Sequence, residues 1–267
     1  VAAADRLPGI FGPCNLKFGQ VLASLSPFLL FLAGARLGRG GWLLAAAAVG
    51  AVLVLAGSRA SLITYALVLL ISGWRLLGTK WLLLVMLAAV VGIGALAGGS
   101  AQVRERFART AMAFGGGAAG LHEALPGRGQ IWSAALCMVR EHPLNGVGAR
   151  GFRDAYPGCN PTPAQDPVWG EGPALHAHQI VLEILAETGV LGLLLWIAGA
   201  AMALRAWIYS GPQARDRARP AALALLVTVF PLNTHLAFYS AFWGGVTVLL
   251  AALYAGALLA ETDGQDP

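Results

Sequence analysis

Seven apolar runs are the feature of this chain that most restricts its fold. They extend roughly from Phe18 to Ala35, Gly41 to Ala56, Ala60 to Leu77, Trp81 to Leu96, Val190 to Trp207, Ala221 to Leu236 and Trp243 to Ala260. Crossing a hydrocarbon layer of about 30 Å takes about 20 apolar residues of helix, so the runs read as transmembrane helices, the second and third short and tightly joined. Composition agrees: 57% of residues are hydrophobic and 12% are charged, against about a quarter charged in soluble folds. The 35 Gly and 14 Pro suit helices that pack closely in lipid. The expected fold is all-α, a polytopic transmembrane helical bundle of about seven spans with one large helical outer loop.

Three regions follow: 1–98 with four spans, 99–187 as a loop domain with short amphipathic helices, and 188–267 with three spans. If the spans alternate, one side receives Arg36, Arg39, Arg75, Lys80, Arg205, Arg215, Arg217 and Arg219. Short loops rich in Lys and Arg stay in the cytoplasm. The long region from Gly99 to Glu187 holds seven basic and eight acidic residues and therefore faces outward. The net charge of +5 reflects this asymmetry; no basic stripe interleaved with aromatics points to nucleic acid. Val1 stands without an initiator Met or a charged leader, and an odd number of further helices upstream would reconcile the count with a cytoplasmic start.

Within the outer region, Glu105 to Phe114 can form a short helix. Gly129 to Glu141 forms another, with Ile131, Trp132, Ala135, Met138 and Val139 on one face, set against the membrane surface or the bundle. His142-Pro143 ends that helix and Asn145-Gly146-Val147-Gly148 turns the chain. Ala177 to Thr188 reads as a third helix closed by Gly189. Cys14, Cys137 and Cys159 are too few for a disulfide framework or a zinc cage and allow at most one bridge.

The polar residues that stand out gather at the outer end. Arg59 lies in a tight turn between two spans, either snorkelling to the interface or binding an anion at membrane depth. Arg128 opens the amphipathic helix, where the dipole disfavours a cation unless an anion is bound; a fork of N–H donors suits phosphate. His176 and His178 flank Ala177 at the entry to the third helix. A His-x-His pair admits a metal, with His122, His142 or Glu183 as further ligands, but the spacing gives no convincing third ligand. Imidazole also serves as a general base toward a sugar hydroxyl. Glu183 and Glu187 either orient an imidazole or are solvated helix charges. Arg150 and Arg153, near Asp154 and Tyr156, can line an outer cleft. Arg104, Arg106 and Arg109 read as a solvated face, and Asn233 and His235 are polar groups that can face a cavity. No phosphate-binding glycine loop, dinucleotide fingerprint, nucleophile elbow or zinc-protease helix is present.

Taken in order, Gly57-Ser58-Arg59-Ala60, Gly127-Arg128-Gly129-Gln130-Ile131-Trp132, His142 to Gly148, His176-Ala177-His178-Gln179 and Leu185 to Leu193 resemble the O-antigen ligase and Wzy polymerase superfamily from about Gly57 to Trp207. The resemblance implies a multi-pass glycosyltransferase of the bacterial inner membrane with a periplasmic loop over its active site. It implies a donor glycan on undecaprenyl pyrophosphate and, as acceptor, lipid A-core in ligases, another repeat unit in polymerases or a protein in oligosaccharyltransferases. It implies no metal, cofactor or nucleotide sugar. Arg59 and Arg128 take the places of the family arginines and His178 that of its histidine; His176, Gln179, Arg150 and Arg153 are candidate substrate contacts. Gln179 stands where the family usually has Asn. A transporter of lipid-linked glycan is the reading from another class, which predicts broken or charged helices at the bilayer midplane.

Overall fold

The computed structural model describes residues 15–56, 58–99, 127–163, 173–231 and 237–260. These residues form eight helices and no strand: α1 (Asn15–Ala56), α2 (Arg59–Leu77), α3 (Thr79–Gly99), α4 (Arg128–Glu141), α5 (Phe152–Cys159), α6 (Ile180–Tyr209), α7 (Pro212–Thr228) and α8 (Ala241–Leu259). The all-helical class is as the sequence predicts. Phe18–Ala56, Ile180–Tyr209 and Ala241–Leu259 are long and apolar enough to cross a membrane; Ala60–Trp74 and Thr79–Ala89 are shorter apolar helices. The helix expected at Glu105 to Phe114, with Arg104, Arg106, Arg109, His122, Asn233 and His235, lies outside the described residues. The chain divides into two compact units, Val1–Gly78 with Leu194–Pro267, and Thr79–Leu193.

In the first unit, α1 is 42 residues long but is not one rod, because Gly38 sits at φ 64°, ψ −153°, a conformation that glycine adopts without penalty. A Cβ placed on Gly34 would be 3.7 Å from Trp42 Cδ1, whereas eight residues of straight helix advance about 12 Å. The chain therefore doubles back at Gly38. The base of the resulting hairpin is also closed, since a Cβ on Gly19 would meet Ala56 Cβ at 3.1 Å.

Several polar side chains in this unit find partners inside it. Tyr65 donates to the Ala46 carbonyl at 2.8 Å, Trp42 Nε1 to Ser72 Oγ at 3.3 Å and Tyr254 to the Ala203 carbonyl at 2.6 Å. Hydrocarbon offers no alternative partner, so such bonds tie one helix to the next. Several arginines donate to carbonyls at helix C-termini: Arg39 to Leu76 at 3.0 Å, Arg215 to Ser210 at 2.8 Å, and Arg217 to Ala260 at 2.7 Å. A cation there satisfies carbonyls left without helical donors and suits the dipole.

The second unit has its own apolar core. Ile131, Ala134, Ala135 and Met138 of α4 pack with Phe152, Tyr156 and Cys159 of α5, with Ala174 and Ala177 ahead of α6, and with Ala186 within it. The amphipathic face foreseen for α4 is thus directed into protein, with Trp132 and Val139 at its margin. A disulfide joins Cys137 to Cys159 and staples α4 to α5.

Candidate functional site

The centre of the second unit is a splice between a loop and a broken helix. Gly189 departs from helical geometry inside α6 with φ 64°, ψ −165°, which removes the bonds that an unbroken helix would make from Val190 to Ala186 and from Leu191 to Glu187. The loop after α4 replaces them from both sides. Val147 and Gly148 N–H groups donate to the Ala186 and Glu187 carbonyls at 2.9 Å each, while Val190 and Leu191 donate to the Pro143 and Leu144 carbonyls at 2.9 and 3.2 Å. Four backbone groups freed by the kink thereby regain hydrogen-bond partners. Such close backbone approach needs glycine on each side: a Cβ on Gly146 would strike the Glu187–Thr188 peptide, and one on Gly189 would strike Leu144 and Asn145.

Glu187, 2% exposed, reaches back to the same loop. Its carboxylate accepts the backbone N–H of Arg150. Glu183 is 1% exposed. Of the two readings offered for these carboxylates, that of solvated helix charges is ruled out: both lie inside the unit, on the buried face of α6. The Arg153 Nε is buried with no hydrogen-bond partner among the described residues.

Arg150 and His178 are, among the described residues, the two non-glycine positions at positive φ, 65° and 55°. Side chains rarely adopt this region, and residues held there cluster at working sites. The turn at His178 also moves the start of α6 to Ile180, three residues after the Ala177 start that the sequence suggests. The His176 and His178 rings lie 4.0 Å apart, centroid to centroid. Gln179 is committed locally: its Oε1 accepts the Leu182 N–H at 2.6 Å and its carbonyl accepts that of Glu183 at 2.9 Å, so it caps α6.

Trp132 Nε1 donates to the Ala177 carbonyl at 3.1 Å, tying α4 to the peptide that precedes His178. Arg128, the first residue of α4, is four residues earlier and thus shares that helix face. Gly127, at φ 76°, forms the cap before it without a side-chain hydrogen bond. Arg59 is likewise the first residue of its helix; there Ser58 Oγ accepts the Ser61 N–H at 3.3 Å. Arg59 belongs to the first unit, and its side chain lies outside the described residues. Arg128, Arg150, Arg153, His176, His178 and Gln179 all belong to the second.

Cys137, Glu141 and Cys159 bring ligand-type atoms within 4.8 Å of one another. With both sulfurs in the disulfide, no thiolate remains there to hold a metal.

A family model described as O-antigen ligase matches residues 43–197, more than half of the chain. The chain belongs to the O-antigen ligase family. Membership makes it an O-antigen-processing enzyme of the ligase and polymerase superfamily, in a bacterial membrane and with lipid-linked glycan as its context. No curated protein and no solved structure matches it.

In this O-antigen ligase family member, Arg59, Arg128, Arg150, Arg153, His176, His178 and Gln179 all fall within the matched span. Three contributors escape a reading by residue type: Trp132 as a tether, Glu187 as the partner of a backbone amide, and the paired glycines Gly146 and Gly189. The glycines show in the sequence as punctuation in two separate motifs, Trp132 as part of an apolar face and Glu187 as a local carboxylate, each without its partner.

Proposed function

We propose that the chain is an O-antigen ligase, moving glycan from undecaprenyl pyrophosphate to the lipid A-core of lipopolysaccharide on the periplasmic side of the inner membrane. The acceptor hydroxyl attacks the anomeric carbon, a new glycosidic C–O bond forms, the bond to pyrophosphate breaks, and the polyprenyl pyrophosphate leaves. The His178 imidazole takes the hydroxyl proton as general base. Arg59 and Arg128 bind the pyrophosphate and stabilise the charge that grows on it, with His176, Gln179, Arg150 and Arg153 contributing to substrate binding. The donor is already activated, so no nucleotide enters.

The observation that carries this reading is the setting of His178. It is held at φ 55° beside a second imidazole, with the preceding peptide tethered to the helix that Arg128 opens. Both arginines start helices, where unpaired N–H groups add to a guanidinium in favouring an anion. The disulfide suits an oxidising compartment, in keeping with residues 99–187 as an outer domain between four spans in 1–98 and three in 188–267.

The test is reconstitution of the whole chain with lipid-linked glycan and either rough lipopolysaccharide or glycan alone. Glycan appearing on lipid A-core supports the ligase; elongation of the lipid-linked glycan instead identifies a polymerase. His178→Ala should lower transfer by about 10²- to 10⁴-fold with the protein inserted and folded, and transfer at the parent rate would remove the general-base assignment.

A further inference from the structure

The first unit contains a cavity of 460 Å³ whose wall is almost wholly apolar, with Leu30, Phe31, Ile71, Leu226 and Trp207 among its lining residues. That volume lies within the range of small-molecule sites. One charged residue, Arg219, joins the lining. Its guanidinium is 2.7 Å from Asp216, and the side chains are 26% and 60% exposed, so the pair sits where the cavity meets the surroundings. Leu76, also in the lining, offers its carbonyl to the Arg39 Nε at 3.0 Å, which places a second guanidinium beside the cavity wall. Arg36 follows the lining residue Ala35 and is exposed. An apolar recess with three arginines and one carboxylate around it is complementary to an amphiphile with an anionic head.

We propose that this cavity holds one acyl chain of an anionic glycerophospholipid from the leaflet that the basic turns face, with its phosphate at Arg219 and Arg39. A basic pocket between membrane helices recognises such headgroups by charge, and each Lys or Arg near the surface contributes about fivefold in affinity. The acyl chain exchanges one apolar surrounding for another and requires no polar partner within the recess, so the contacts of the phosphate set the preference. Asp216 offsets Arg219 when no lipid is bound, and the phosphate competes with its carboxylate for that guanidinium. None of these residues is among those assigned to glycan transfer, so lipid retention and transfer can be measured apart.

The test is native mass spectrometry of the whole chain released from nanodiscs that contain equal amounts of phosphatidylglycerol and phosphatidylcholine of the same acyl composition. Phosphatidylglycerol should be retained over phosphatidylcholine by roughly fivefold or more. Arg219→Gln should bring the ratio toward one, and Ala222→Trp, which fills the recess, should remove retained lipid of both kinds. Should the tryptophan variant fail to fold, the ratio measured on Arg219→Gln decides alone. Equal retention of the two lipids by the parent chain would overturn the proposal. So would complete displacement of phosphatidylglycerol by equimolar undecaprenyl phosphate, which would give the cavity to the isoprenoid carrier.

Discussion

Gly146 and Gly189 hold each other's segments: the first lies against the Glu187–Thr188 peptide and the second against Leu144 and Asn145. Both sit at φ 64°, so alanine at either position meets strain and a backbone collision together. Each substitution should cost about 2–3 kcal/mol, seen as a lower thermal unfolding temperature in detergent. Gly148→Ala, at φ 96° with open space around it, should cost only the conformational strain, about 1 kcal/mol. The double variant at Gly146 and Gly189 should lose less than the sum of the two, because one splice is broken in both cases.

Glu187→Ala removes the charged acceptor of the part-buried hydrogen bond from the Arg150 N–H, a loss of about 1.5 kcal/mol. Glu187→Gln keeps an acceptor oxygen and should recover more than half of that stability. Thermal unfolding of the two variants side by side separates loss of the hydrogen bond from loss of the charge; equal destabilisation would show that the charge, not the bond, is what matters.

Trp132→Phe deletes the bond to the Ala177 carbonyl while keeping most of the ring. Stability should fall by about 1 kcal/mol. If the tether positions the His178 loop, turnover should fall on the order of tenfold with the KM for donor little changed. A variant that loses stability but not turnover would reduce Trp132 to a packing residue.

Reduction of the Cys137–Cys159 bridge, or replacement of both cysteines by serine, releases α4 from α5 and frees a loop closed over 22 residues. Loops of that size correspond to about 3 kcal/mol of stabilisation. Thermal scans with and without reductant should differ for the parent chain and coincide for the double serine variant.

What the sequence made legible is what depends on neighbours along the chain. The apolar face of α4 was readable from its period, and the break at Gly189 from a glycine that follows a helical pattern. The start of α6 was displaced by three residues because His178 adopts a left-handed conformation that a histidine does not advertise. The burial of Glu187 was out of reach for a different reason: its partner is a backbone amide 37 residues earlier, and a carboxylate on a helix looks the same in sequence whether it meets water or a peptide. The splice itself joins two motifs that are each recognisable alone but carry no sign that one completes the other's hydrogen bonds. Arg128 was readable as a misplaced cation, since it opens a helix whose dipole opposes it, and Arg59 as a guanidinium held in a tight turn between two apolar runs.

The reversal at Gly38 fixes how the start of this chain meets the bilayer. With Gly19 and Ala56 in contact at the base of the hairpin, both ends of a stretch that resembles one very long helix must emerge together, and the arginines at its tip must emerge elsewhere. A membrane-impermeant thiol reagent would therefore report cysteines introduced near Asn15 and Ala56 as a matched pair, and one introduced near Gly38 as their opposite.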